Sequence, residues 1–290
     1  MKPFFKLLLL SFMCVFVFAG TARVAAAPAL TFKFTTFAIP GALEVFTGGV
    51  SEAGSIVGEY LDSSGGIHGF VLNGTTVTTI DDPKGVATSC RSISPNGLAV
   101  VGSYINSSGA DVGFLLKNKK FTDVPGPAGA TSSFATAIND HGEIVGLYTD
   151  SSGLTHGFTL KGGKYTTLDV PKALLTEATG INNHGMIVVN GENSKKAFAA
   201  YLYNGSTYTT ISVPGAASSA ATNIDNRGDV VYDWMDAAKK NHGALRQNGK
   251  YFKFNDPQGS QSYGSGINDH REIVGSYLGG RAFLGFQASY

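Results

Sequence analysis

Short apolar runs separated by Gly, Asn, Asp and Ser return in the same order along this chain, and that order defines a repeat. In the third copy, FATAI (Phe134 to Ile138) is small-residued and EIVGLY (Glu143 to Tyr148) is apolar and β-branched. HGFTLK (His156 to Lys161) then alternates, and KYTTLDV (Lys164 to Val170) carries the Thr and Tyr of a half-exposed strand. The connections NDHG, TDSSGLT and GG are turn sequences, with Gly or Asn/Asp where a positive φ is needed. Each copy therefore predicts four antiparallel strands.

Two landmarks fix the period. A β-branched residue precedes the first polar turn at Val50, Ile93, Ile138, Ile181, Ile224 and Ile267, in steps of 43, 45, 43, 43 and 43. A proline closes the last strand at Pro40, Pro83, Pro125, Pro171, Pro214 and Pro257, so six of the ten prolines share one position, as suits an exit that cannot donate to a sheet. A period near 43 matches one four-stranded propeller blade. The three positions before each anchor are mostly small, which lets six strands crowd an axis. The repeats begin with an outermost-type strand (Phe32 to Pro40) and end with a third-type strand (Phe283 to Tyr290). The expected fold is all-β, a six-bladed β-propeller whose ring is closed by the N-terminal strand completing the last blade. It forms one domain, 27–290, without linkers.

Before it, MKPFFK, the apolar run Leu7 to Gly20 and TARVAAAPA have the basic, apolar and small-residue parts of a secretory signal peptide. The run is short of the roughly 20 residues of a membrane-spanning helix. Cleavage is expected after Ala26, which removes Lys2, Lys6 and Arg23 and turns the formal net charge of +1 into about −2. So balanced a charge gives nucleic-acid binding little support. The expected location is periplasmic or extracellular, and the expected state a monomer. Cys90 is then alone in the mature chain, which suits a buried small apolar role.

The pattern I-N-x-x-G-x-I-V-G-x-Y, a Ser/Gly loop and then His-Gly-Phe resembles the bacterial extracellular repeats named for a His-Ala-Phe signature. The signature stands as His68-Gly69-Phe70 and His156-Gly157-Phe158, decays to His242-Gly243-Ala244, and loses its His at Val112-Gly113-Phe114. The resemblance covers all six repeats. It implies an exported, propeller-like protein and brings no settled activity with it.

The six histidines occupy two repeat positions: His68, His156 and His242 before third strands, and His141, His184 and His270 in first turns. Ligands spread around a ring do not converge on one ion, so structural roles are expected and no cofactor. The DSSG loops faintly resemble calcium loops but lack alternating acids, so plain polar turns are favoured. Departures from the repeat point to chemistry. Blades four and five replace Val-Gly-x-Tyr by Val188-Val189-Asn190-Gly191 and Val231-Tyr232-Asp233-Trp234. Their loops add Glu192, Lys195, Lys196, Asp236, Lys239 and Lys240. Trp234 either stacks on a sugar beside Asp233 and these charges, or fills the slot of the tyrosine it replaces. Near the axis, Arg91 and Glu177 break the small-residue pattern, with Glu44 a second carboxylate on another blade. The first expectation is a non-enzymatic propeller binding an extracellular polysaccharide or surface protein. A glycan- or lactone-cleaving enzyme with its site at the channel mouth is the second, and a structural envelope protein the third.

Overall fold

The computed structural model describes residues 30–279 and 282–289, and among them it contains strands and turns but no helix. The expected signal peptide, 1–26, lies outside the described residues. Six antiparallel sheets of four strands form the six blades. In five of them the four strands are consecutive, as in blade three with Ser132–Ile138, Ile144–Thr149, Thr155–Lys161 and Lys164–Leu168. Blade six takes Ser262–Ile267, Glu272–Gly279 and Ala282–Ser289, and its outer strand is Lys33–Phe37 from the start of the domain. That strand pairs from Lys33↔Ser289 to Phe37↔Gly285. Each innermost strand packs against the next and blade six against blade one, so the ring closes and its chain ends share one sheet.

The signature residues interlock within a blade. A Cβ on Gly58, Gly102 or Gly146 would collide with the carbonyl oxygen of Phe46, Ser89 or Phe134 and with the ring of Phe70, Phe114 or Phe158. These glycines thus make room for three fully buried phenylalanines across the strand pair. Blade five exchanges the sizes: Tyr232 stands where the glycine was, directly opposite Ala244 in place of the phenylalanine, and both are buried. The decay from His-Gly-Phe to His-Gly-Ala is therefore half of a volume-conserving swap. The Tyr232 hydroxyl donates to the Ile211 carbonyl at 2.7 Å.

The Ile-Asn-x turns hold the blades together. Asn139 and Asn182 each accept two backbone N–H groups of their own turn on Oδ1, and each donates through Nδ2 to the next blade, at Asn182 O and Asp225 O. Asn268 does the same across the closure, to Ser51 O at 2.8 Å. One residue further along, Asp140 N–H donates to Asn183, Asn183 to Asn226, Asn226 to Asp269 and Asp269 to Glu52. Glu52 N–H donates to Pro95 O and Asn96 N–H to Asp140, which completes the circle through the turn that lacks an N–H at its proline. Six blades are thus linked in a closed hydrogen-bonded girdle on the turn face, which explains why that sequence recurs.

Candidate functional site

The third-strand histidines are brackets at the rim of the opposite, loop face. His68 Nε2 meets Asp62 at 3.3 Å and its Nδ1 meets Asp81 at 3.1 Å, while its ring stacks on Tyr60. His156 repeats this with Asp150, Asp169 and Tyr148, and His242 with Asp236, Asn255 and Trp234. Burial works against a charged imidazole at His68 and His156, but the flanking carboxylates outweigh it and raise both pKa values. Asp62 Oδ1 accepts the Gly66 and Ser64 N–H groups, which hold its carboxyl down to about 2. The acids of the DSSG loops are thus engaged by their own turns and the neighbouring imidazole. Among the described residues no group of three or more His, Cys, Asp or Glu is arranged to hold a metal ion.

Trp234 takes the second of the two places its sequence context allows, the slot of the tyrosine it replaces. It is 4% exposed, stacked on His242 with ring centres 4.6 Å apart, and its Nε1–H points at Gly243 O. Lys253 Nζ lies 3.8 Å from the ring centre. The indole fills the tyrosine slot and offers a sugar no free face. The loops beside it follow the common turn. Lys196 and Lys239 adopt φ of 59° and 64°, where the sister loops use Gly65, Gly109 and Gly153. Glu192 is buried and paired with Lys196 at 3.0 Å. Asp236 caps its own turn, and Lys195 and Lys240 are exposed. Of the eight loop residues singled out from sequence, only Asp233 lines the central cavity.

That cavity is a well on the axis, of about 340 Å³. All six innermost strands line it, through Thr47, Arg91, Phe134, Glu177, Thr222 and Ser265 among others. A second cavity of about 370 Å³ adjoins it, sharing Thr47, Arg91, Asp233 and Ser265 and adding Glu59, Phe46 and Tyr263. Towards the turn face the well ends. All six anchors, Val50, Ile93, Ile138, Ile181, Ile224 and Ile267, converge and leave about 20 Å³, room for about one water molecule. The axis is a blind pocket open on the loop face.

Three ionisable groups break the repeat on its wall. Arg91 stands where sister strands carry Gly48, Thr136, Thr179, Thr222 and Ser265, and Glu177 where they carry Phe46, Ser89, Phe134, Ala220 and Tyr263. Both line the well, yet no side-chain hydrogen bond or ion pair joins them to each other or to any other described residue. Burial, aided by the nearby Glu192 carboxylate, raises the Glu177 pKa. Asp233 projects from the second strand of blade five and accepts the Gly264 N–H of blade six at 2.7 Å. Burial pushes its carboxyl up to about 8, against the pull of that hydrogen bond. Its counterpart in blade four is Asn190, which accepts from Ala221 N at 2.8 Å and donates to Ala221 O at 2.9 Å. In blade six the counterpart is Ser276, which accepts from Thr47 N. Sequence reasoning missed Glu59, the blade-one member of this set. Aligning the x of Val-Gly-x-Tyr as Glu59, Ser103, Leu147, Asn190, Asp233 and Ser276 would have found it. Cys90 is buried with its thiol pKa raised by burial, and it takes no part in the well.

No family model matches the chain, and no curated protein is similar to it in sequence. Similar solved structures are propellers of low identity. A TolB-type protein from Agrobacterium tumefaciens has a TM-score of 0.58 at 13% identity, over 77% of this chain and 87% of that one. A variant of the Aleuria aurantia lectin in complex with Fucalpha1-6GlcNAc has 0.55 at 13%, over 85% and 93%. Trypanosoma rangeli sialidase has 0.54 at 9%, over 90% of this chain and 60% of that one. At such identity the likeness defines the class, a six-bladed β-propeller, and leaves the ligand to the site itself. No helix among the described residues is long and apolar enough to cross a membrane.

Proposed function

We propose that this chain is an exported propeller that binds an extracellular glycan by taking its end into the axial well. The observation that supports this most strongly is the meeting of Arg91, Glu177 and Asp233 on one blind cavity, each departing from what the repeat needs there. Desolvating the Glu177 and Asp233 carboxyls costs stability, so a fold that needs only small or neutral residues at these places gains nothing from them. The cavity volume falls in the range of about 300–1,000 Å³ of small-molecule sites, and Phe46, Phe134 and Tyr263 add aromatic surface around the polar groups. Export by the signal peptide of 1–26 and membership of the His-Ala-Phe repeat family belong to the same proposal, on the sequence motifs alone. The test is a broad glycan array probed with the mature chain from Ala27 onward. Saturable binding that falls about tenfold or more in Arg91→Ala and in Glu177→Gln is the expected result. A blank array, or binding indifferent to both substitutions, overturns it.

A second reading is favoured by Asp233, whose carboxyl burial pushes up to about 8. A carboxyl that keeps its proton near neutral pH is suited to general-acid cleavage of a glycosidic bond. Incubation of the chain with whichever glycan it binds separates the two readings. Product whose formation is abolished in Asp233→Asn identifies an enzyme, and intact ligand identifies a binding protein.

A further inference from the structure

We infer that the sugar unit entering the well carries a free amine, as an amino sugar with its nitrogen unacetylated. This rests on the glycan reading above and sharpens it to a chemical class.

The charges around the well are unequal. Its wall and rim carry Glu177, Asp233, Glu59 and, in the small cavity adjoining Glu59, Glu44, against Arg91 as the one cation among the described lining residues. Among the described residues, the side chains of Glu59, Glu177 and Arg91 make no hydrogen bond or ion pair. Asp233 is held by the Gly264 N–H, but the Glu177 and Glu59 carboxylates are neither paired by the fold nor held by its turns, unlike Asp62 or Asp236 at the rim. An anionic sugar would have to sit against several carboxylates to reach one guanidinium. A neutral sugar would dehydrate Glu177 and Glu59 without compensating either charge. A ligand ammonium supplies what the wall lacks, with up to three donors for carboxylate oxygens that have no other partner.

The position of Arg91 adds orientation. It lies on the innermost strand of blade two, and Glu177 on that of blade four, so the two face the well from different sides of the ring. Arg91 repels an ammonium and donates to hydroxyl or ring oxygens, which directs the amine towards Glu177. The aromatic rings of Phe46, Phe134 and Tyr263 suit both the apolar face of a sugar and a neighbouring cation. Because the well is blind, the amine-bearing unit is a terminal one.

The experiment compares three linear glucose-type oligomers of the same linkage and length that differ at one position, carrying a hydroxyl, an acetamido or a free amino group. Calorimetric titration is run just below the titration of the sugar amine, so that Glu177 is as ionised as a persisting ammonium allows. The amino oligomer is expected to bind about tenfold or more tightly than the other two, with the preference shrinking as salt rises. In Glu177→Gln the preference is expected to collapse towards equality. Should that variant not fold, Glu59→Gln carries the same test with a smaller expected drop. Equal binding of the three oligomers, or tighter binding of the acetylated one, overturns the amine and leaves the glycan reading standing. The same holds if all three fail while the array retains a glycan without amines. A blank array overturns both.

Discussion

The two ends of the propeller axis are built from the same six repeats and treat polar groups in opposite ways. On the turn face, Asn139, Asn182 and Asn268 satisfy their own turns and reach the next blade, and the residues after them continue the girdle around the ring. At the open end, Arg91 and Glu177 face a cavity with no protein partner, and Asp233 holds one N–H at the expense of a raised pKa. A residue that recurs from blade to blade joins the blades. One that occurs once and faces the well is not needed by the ring. The difference gives a rule for departures from the repeat: those that fill a slot are structural, and those that open onto the cavity are candidates for binding.

Trp234 breaks the comparison most sharply if the rule is wrong. It departs from the tyrosine repeat but fills a buried slot, so Trp234→Ala is expected to destabilise the fold by about 4 kcal/mol. Glycan affinity per folded molecule should stay the same. Chemical denaturation checks the first and calorimetry the second; weak binding with unchanged stability would return the indole to the ligand. Next in size comes the girdle. Asn182→Ala takes the buried side-chain partner from the His184 and Met186 N–H groups and the Asp225 carbonyl, an expected loss of about 3 kcal/mol. The same substitution at exposed Asn204, which caps only its own hairpin, should cost less than half of that.

The blade was legible because its signals are local. Four strand patterns, their turns and the β-branched anchors recur in register, and an outermost-type strand at one end with a third-type strand at the other implies the closure seen in blade six. The site was legible only in part. Arg91 and Glu177 stood out because their neighbours in the alignment are small or apolar. Asp233 was read with the loop that follows it, although strand alternation turns it to the axis and Trp234 away from it. Glu59 occupies the variable x of its motif, where the six blades share no common residue. The histidine brackets were beyond reach because His68 and Asp81 lie 13 positions apart and meet only once the third and fourth strands have paired. An aromatic at the Trp234 position looks the same in sequence whether it stacks on a sugar or on His242.

The smallest expected effect separates stability from binding at a single atom. In Asp233→Asn the isosteric amide keeps its acceptor for the Gly264 N–H, and its new donor can copy what Asn190 does for Ala221 one blade earlier. The folded Asp233 pKa, about 8, lies above the ordinary carboxylate value of about 4, so the folded state binds its proton more tightly than the unfolded state does. Below about pH 4 both states are protonated and the aspartate carries no penalty. As pH rises from there the unfolded chain releases the proton first, and the native protein loses stability until the folded group also ionises near 8. The variant lacks this term. Its unfolding free energy should match the parent's at about pH 4 and exceed it increasingly up to about pH 8, by about 2 kcal/mol at the top once access from the cavity is allowed for. The gap should level off beyond that. Over the same range its glycan affinity should be lower than the parent's. A parallel pair of stability curves against pH would mean that the Asp233 carboxyl is no costlier than Asn190, and its claim to be held in the well for a ligand would fall.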